Sequence, residues 1–264
     1  MVDSLPFSNT EREDLVEAVT HIVDRAAELI LDIYNTGFEV RYKDDGSPVT
    51  DADEFAEELI VEDLKKVLPG ISVIGEETLA STSDTLLNQN TFWLVDPIDG
   101  TKEFIKKNGE FTVNIALIQE QSPILGVVGA PALNCTYRAH GLATSERREH
   151  SNIWQRISAK TIAHEGCVAI SSRSHGDKTK LQNLLTNTHI QTHEVLGSSL
   201  KFCRVAEGAA HIYPRYGPTR EWDTAAGHAI LLGAGGTVFV GEDKELQYGK
   251  KDWTNPEFIA RART

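Results

Sequence analysis

One stretch constrains this chain more than any other: residues 91–105, TFWLVDPIDGTKEFI. Thr91 to Val95 is a short apolar run with an aromatic pair, bounded by polar residues, which is the pattern of a buried strand. It runs straight into Asp96-Pro97-Ile98-Asp99-Gly100-Thr101-Lys102. Pro97 biases Asp96 toward extended geometry and brings no N–H of its own. Gly100 permits a tight bend or a close backbone approach. Asp96 and Asp99 can therefore leave the strand end pointing into one pocket, with the Ile98 carbonyl as a third oxygen between them. Two carboxylates about 4 Å apart repel by roughly 4 kcal/mol at an effective dielectric near 20. A proton, a basic residue or a hard divalent cation would offset that repulsion. Mg²⁺ takes oxygen ligands and is usually held by a few carboxylates plus substrate phosphate. Asp, Pro and Gly are also ordinary turn residues, so a bare D-x-x-D reads equally as an acidic turn, and the surrounding string has to decide.

The chain has 264 residues, which suits one large domain or two intimate lobes and is ample for a core. Formal net charge is 26 − 39 = −13. A nucleic-acid binder would show a basic footprint, and this sequence shows none. An acidic protein that handles a phosphate ester needs local positive charge, which bound metal supplies. No apolar run approaches the length of a membrane span. The first residues, MVDSLPFSNTERED, carry acids and no apolar h-region, so a cytoplasmic protein is expected, with peripheral attachment to the inner membrane left open. Cys135, Cys167 and Cys203 are far apart and lack metal-ligand spacing; they read as reduced core or surface thiols.

Along the chain, Thr10 to about Asn35 reads as a helix opened by the capping box Thr10-Glu11-Arg12-Glu13, with Leu15, Val19, Ile22, Val23, Ala26, Ile30 and Ile33 on one face. Phe38 to Lys43 alternates as a strand. Thr50 starts a second helix whose buried face is Phe55, Leu59, Ile60, Leu64 and Val67. Asp53, three residues after Thr50, is at once a cap and a carboxylate facing whatever lies beyond the helix end. Ile71 to Ile74 is a short strand that ends in Gly75-Glu76-Glu77. Phe111 to Ile118 and Ile124 to Ala130 read as neighbouring antiparallel strands, and Thr136 to Ala143 continues the sheet. The span 144–164 is polar and uninformative. Beyond it strands and helices alternate: strands at 168–171, 194–196, 211–213 and 237–240, helices at 177–185, 198–207 and 222–232. Such alternation indicates an α/β lobe. The expected organisation is an α+β lobe over 1–155 and an α/β lobe over 156–264.

The string WLVDPIDGTKEFI resembles the signature of the Mg²⁺-dependent, lithium-sensitive phosphatases of the inositol monophosphatase superfamily, and its Lys-Glu-Phe-Ile ending resembles the CysQ branch, the 3′(2′),5′-bisphosphate nucleotidases. Matching segments run in the family's order from Val49 to about Thr237. The resemblance implies the layered αβαβα sandwich of the inositol monophosphatase and fructose-1,6-bisphosphatase superfamily. It also implies two or three Mg²⁺ ions held by Glu76, Asp96, the Ile98 carbonyl, Asp99 and Asp223. Asp53, Glu76 and Thr101 would orient the attacking water. The substrate would meet Glu76, Ile98, Asp99, Gly100, Thr101 and Asp223 at the scissile phosphate, and Arg173, His175, Ser199, Lys201 and Arg215 elsewhere. At the Arg215 position inositol monophosphatases typically carry an acid, and a guanidinium there favours a second anionic group. Asp51 is a departure, since many members have a small neutral residue there.

The function implied is removal of the 3′-phosphate of adenosine 3′,5′-bisphosphate, with 3′-phosphoadenylyl sulfate as a further candidate, small-molecule nucleotide substrates with no role for nucleic acid. A phosphatase of the same superfamily acting on inositol or fructose phosphates is the nearest alternative. A non-catalytic nucleotide or divalent-ion sensor is the alternative of a different class. Monomer and homodimer stay equally open.

Overall fold

The first long helix owes its length to one uninterrupted apolar stripe. In the computed structural model, which describes residues 7–78, 89–149, 153–162, 164, 166–173, 176–242 and 244–263, α1 (Asn9–Thr36) buries Leu15, Val19, Ile22, Val23, Ala26 and Ile30. Its cap is Ser8, not the expected Thr10. Ser8 N and Oγ both donate to Glu11 Oε2 at 2.7 Å, and the Ser8 hydroxyl takes the Glu11 N–H in return. The box closes on Glu11, three residues after Ser8, where the Thr10 reading would have used Glu13. A short hairpin of β1 (Val40–Tyr42) and β2 (Pro48–Thr50) leads into α2 (Asp51–Val67). α2 buries Ala52, Ala56, Ile60 and Leu64, while Phe55, assigned to that face from sequence, is 52% exposed. Phe55 falls on the far side of the turn from Ala56 and Ile60, whose smaller side chains bring the helix close to its neighbours.

The next strands form one seven-stranded sheet in the order β3-β4-β5-β6-β7-β8-β9. They are β3 (Ser72–Gly75), β4 (Thr91–Asp99), β5 (Thr112–Gln119), β6 (Ser122–Ala130), β7 (Cys135–Ala139), β8 (Glu146–Glu149) and β9 (Gln155–Arg156), with the short α3 (Thr101–Ile105) after β4. Only β3 and β4 run parallel; the other neighbours are antiparallel. The last two strands lie within the polar span that carried no strand signal, where Arg138, Arg147, Arg148 and Arg156 pair with Glu17, Glu146, Glu149, Glu207 and Asp24 instead of presenting an apolar face.

A second, six-stranded sheet has the order β11-β10-β12-β17-β14-β15. It is built from β10 (Cys167–Ser172), α4 (Lys178–Asn187), β11 (Ile190–Leu196), α5 (Leu200–Ala206), β12 (Ile212–Arg215), β13 (Thr219–Arg220), α6 (Trp222–Gly233), β14 (Gly236–Val240), β15 (Lys244–Glu245), β16 (Thr254–Asn255) and β17 (Phe258–Ala262), with β13 and β16 paired as a separate ribbon. The chain's final strand thus enters the middle of this sheet, antiparallel to both β12 and β14.

Alternation along β4 shows the layering. Trp93 and Val95 enter one core with Val23, Ile30, Ala56 and Ile60 of α1 and α2. Phe92 and Leu94 enter another with Phe202 of α5, Ile230 of α6, and Tyr213, Val238 and Phe258 of the second sheet. A small third cluster joins Cys167, Ala169 and Ile212 to Leu184 and Leu185 of α4. The order is therefore α1 and α2, first sheet, α5 and α6, second sheet, α4, which is the five-layer arrangement expected. Both faces of each central strand are covered, so a fully buried Leu or Phe there contributes about 1.5–3 kcal/mol. All three cysteines are buried and free. No described helix is long and apolar enough to cross a membrane.

Candidate active site

Residues three apart in a regular strand point to opposite faces. Asp96 and Asp99 escape that rule through a bulge. Asp96 pairs with Asn114 and Asp99 with Thr112, so three steps on β4 match two on β5, and one extra residue turns both carboxylates to the same side. Gly100 follows at φ +93°, where a Cβ would sit 3.1 Å from Glu110 O. The backbone can thus turn at once into α3 and bring Thr101 to the same place.

β3 lies parallel to β4 with Gly75 beside Val95, which puts Glu76 next to Asp96. The turn holding Glu76 is pinned from behind by Glu57 of α2. Buried Glu57 accepts the N–H of Glu77 at 2.9 Å and of Thr78 at 2.8 Å, and its carboxylate lies so near Gly75 that a Cβ there would be 2.4 Å from it. Lys43 Nζ reaches Glu76 Oε1 at 3.1 Å and Glu77 Oε1 at 2.7 Å. Burial works against the Lys43 ammonium, yet Glu76 and Glu77 hold its pKa above the ordinary lysine value. Burial pushes Glu77 up to about 7 despite that cation.

Asp223 comes from the first turn of α6, where its Oδ2 accepts Arg220 N at 2.8 Å. The loop before it is fixed by residues that carried no signal in sequence. Asn255 Nδ2 donates to Arg220 O at 2.8 Å and to Thr224 Oγ1 at 3.0 Å, and buried Glu221 accepts from Gly249 N at 2.7 Å and Lys250 N at 2.9 Å. One carboxylate oxygen from each of Glu76, Asp96 and Asp223 lies within 4.8 Å of the others. Asp96 Oδ1 is buried without a hydrogen-bond partner. Burial first, then the neighbouring carboxylates, raise the pKa of Asp96 and Asp223 well above the usual range. Burial also lifts Asp99 to about 6, against the pull of the Lys201 ammonium. Hard oxygen donors, an orphaned carboxylate oxygen and mutual repulsion in a buried site fit a divalent cation of the Mg²⁺ kind.

Asp53 sits just behind. Its Oδ2 accepts Thr50 N at 2.8 Å and Thr50 Oγ1 at 2.6 Å, while its Oδ1 accepts the Thr101 hydroxyl at 3.3 Å. It is 2% exposed, and burial pushes its pKa up to about 6. Thr101, half-buried, stands between Asp53 and a cavity of about 490 Å³. Glu76, Asp96, Ile98, Asp99, Gly100, Thr101 and Asp223 line that cavity.

Arg173, Lys201 and Arg215 line the same cavity. Arg215 is nearly buried, and of its five N–H donors three are engaged: Nε with Gly217 O at 3.3 Å, Nη2 with Pro218 O at 3.0 Å, and Nη1 with Ser172 Oγ. Five minus three leaves two for a ligand. Lys201 Nζ bonds Leu196 O at 3.3 Å and Ser198 O. Burial lowers its pKa to about 8, with Asp99 opposing. Arg173 is more exposed and is paired with Glu110 at 2.7 Å.

One expected contact, Ser199, is not in the cavity wall. The Ser199 hydroxyl is buried and committed to Asn114 Oδ1 at 2.6 Å and Thr112 Oγ1 at 2.9 Å; Ser198, at φ +48°, faces the cavity in its place. A left-handed residue before the helix turns the next side chain inward, which the Ser-Ser pair in sequence cannot reveal. His175 lies outside the described residues. Asp51, the departure noted in sequence, is engaged by Arg41 at 2.8 Å on the outside of α2.

Residues 11–263 match the model of the inositol monophosphatase family. The 3′(2′),5′-bisphosphate nucleotidase CysQ of Salmonella typhimurium is 44% identical over 248 residues, covering 92% of this chain and 98% of that protein. Its counterpart in Buchnera aphidicola is 40% identical over 259 residues, covering 94% of each. The crystal structure of CysQ from Bacteroides thetaiotaomicron, a bacterial member of the inositol monophosphatase family, superposes with a TM-score of 0.81 at 37% identity, covering 94% of this chain and 96% of that one. With the layered fold, the D-x-x-D bulge and the carboxylates of β4, α6 and the turn after β3 converging on one cavity, the chain belongs to the inositol monophosphatase family.

Proposed function

We propose that the protein is a Mg²⁺-dependent phosphatase that removes the 3′-phosphate of adenosine 3′,5′-bisphosphate to give AMP, and that 3′-phosphoadenylyl sulfate is a second substrate. The observation that carries this reading is the lining of the cavity. Carboxylates able to hold divalent cations share it with the cations Arg215, Lys201 and Arg173. A monophosphate needs only the carboxylate set. A bisphosphate uses both sets, because a guanidinium with two free N–H groups forks onto a phosphate.

Glu76, Asp96, Asp99, Asp223 and the Ile98 carbonyl would hold two or three Mg²⁺ ions. Bound there, Mg²⁺ supplies charge neutralisation of the scissile phosphate and activation of water. The chain's own groups do the rest. Thr101 offers a hydroxyl to the attacking water and passes a proton to Asp53, to which it is already hydrogen-bonded. The water oxygen bonds to phosphorus, the P–O3′ bond breaks, and the ribose 3′-oxygen takes up a proton from solvent. Gly100 and Thr101 present backbone N–H groups at the mouth of a short helix, toward the scissile phosphate. Lys201 and Arg215 fix the 5′-phosphate, so the ester is positioned before reaction, and positioning with charge stabilisation is most of phosphoryl-transfer catalysis. Such an enzyme acts on soluble nucleotides, and we place it in the cytoplasm.

The test is phosphate release from adenosine 3′,5′-bisphosphate, inositol monophosphate and fructose 1,6-bisphosphate, with and without Mg²⁺. Fastest turnover of the nucleotide, and only with Mg²⁺, is expected. Preference for a sugar phosphate would move the substrate assignment within the family. Nucleotide binding without turnover on any substrate would make the protein a sensor.

A further inference from the structure

Three residues at every second position, Glu110, Thr112 and Asn114, project from one side of β5 and the segment just before it. Glu110, just before the strand, accepts Gly197 N at 2.8 Å and pairs with Arg173 at 2.7 Å. Thr112 Oγ1 lies 2.9 Å from Ser199 Oγ, and Ser199 Oγ donates to Asn114 Oδ1 at 2.6 Å. Farther along the same face Ala116 and Ile118 are ordinary core residues packed with α5 and α6. The face thus changes from apolar to polar where it reaches the site. Thr112, Asn114 and Ser199 are all essentially inaccessible to solvent.

The register gives this polar stripe its meaning. Asn114 is the sheet partner of Asp96, and Thr112 that of Asp99. Asn114 Nδ2 and Asp96 Oδ1 are both buried and both lack a partner. A buried amide N–H₂ and a buried carboxylate oxygen, unsatisfied on paired residues, are a donor and an acceptor waiting for one another. Two residues beyond Ser199 stands Lys201, whose ammonium bonds the carbonyl of Ser198. One hydroxyl therefore ties the loop that carries a substrate-facing cation to the strand that backs both aspartates.

We propose that Asn114 and Ser199 are positioning residues: their hydrogen bond latches the Gly197–Lys201 loop to β5, and the free Asn114 amide orients Asp96 for cation binding. Ser199 then acts through Asn114 rather than by touching substrate. Residues that orient metal ligands typically change metal affinity or activity 10- to 100-fold. Only the kinetic readout rests on the phosphatase reading; the cation readout stands without it.

The test uses Ser199→Ala, Asn114→Leu and the double variant, each measured for Mg²⁺-induced shift in melting temperature without substrate, and for kcat, KM and the Mg²⁺ concentration giving half-maximal rate. Each single variant is expected to need about 10- to 100-fold more Mg²⁺ for the same thermal shift and to lose kcat while KM changes little. The double variant should lose no more than the worse single one, because both remove the same link. Should Asn114→Leu fail to fold, Ser199→Ala removes only a hydroxyl and gives the same reading. A loss confined to KM would make Ser199 a substrate contact. Lower melting temperatures with unchanged Mg²⁺ response and kcat would make the bond structural glue. Singles whose losses multiply in the double would remove the shared link. Any of these three overturns the proposal. A wild type that shows the Mg²⁺ shift but no turnover would instead remove the phosphatase reading and leave the latch to be judged on the shift alone.

Discussion

Thr101 Oγ1 lies 3.3 Å from Asp53 Oδ1 and joins the first turn of α3 to the first turn of α2. Only the hydroxyl, of the two groups, lines the cavity. If it passes the water's proton to Asp53, Thr101→Ala loses kcat by about 10²- to 10⁴-fold, the usual range for acid–base assistance. Thr101→Ser keeps most of the rate, and the Mg²⁺-induced thermal shift survives in both. Steady-state kinetics beside a melting curve checks this; an Ala variant with full turnover would take the proton path elsewhere.

Asp96 is buried among four other carboxylates, Glu76, Asp99, Asp223 and Asp53, with one oxygen unpartnered. Asp96→Asn removes charge and almost no volume. Turnover should fall on the order of 100-fold or more, since even groups that only orient metal ligands cost about 10- to 100-fold. The metal-free melting temperature should rise at pH 7, where the wild-type carboxylates repel. A marked fall would make Asp96 a structural residue.

Stability without metal should depend on pH with a definite sign. Asp53 and Asp99 titrate at about 6 in the fold against 3.8 ordinarily. Between those values the folded state binds more protons than the unfolded chain, so these groups favour folding below pH ~4 and lose that contribution as pH rises to ~6. Mg²⁺ binds the deprotonated carboxylates, so its stabilising shift should be small at pH 5 and grow toward pH 7.5. Melting curves across that range, with EDTA and with Mg²⁺, measure both effects. A Mg²⁺ shift equal at pH 5 and pH 7.5 would contradict the assignment of these carboxylates to the cation site.

Arg215 offers two unengaged N–H groups. Losing a charge-assisted partner costs about 1.5–3 kcal/mol, or roughly 10- to 150-fold in kcat/KM. Arg215→Ala should show this on adenosine 3′,5′-bisphosphate, mostly in KM, and barely affect adenosine 3′-monophosphate. Equal losses on both substrates would place Arg215 at the scissile phosphate or in the fold.

Much of this site is legible in sequence because it is local. Gly75-Glu76, Asp96 to Thr101 and Trp222-Asp223 each sit where a strand or helix starts or stops, and such ends are marked by Gly, Pro and acids. What the residues do not announce depends on distant partners. The bulge that turns Asp96 and Asp99 to one side is set by register with Asn114 and Thr112. Ser199 points inward because Ser198 is left-handed. Lys43 reaches Glu76 from another hairpin, and Asn255 holds the Asp223 loop from the end of the chain. β17 escapes notice because it is five residues long with Arg261 inside it, yet it fills the middle of the second sheet. Phe55 misleads because helical spacing gives a face but not its centre.

Product identity after turnover of adenosine 3′,5′-bisphosphate in Mg²⁺ tests the central claim most directly, because the proposal gives the 3′-phosphate to the carboxylates and the 5′-phosphate to Arg215 and Lys201. Chromatography against both monophosphates, or phosphorus NMR, resolves it. Adenosine 5′-monophosphate as sole nucleotide product, with none formed in EDTA, is the expected result. Adenosine 3′-monophosphate as the product, or release of phosphate undiminished in EDTA, would contradict it.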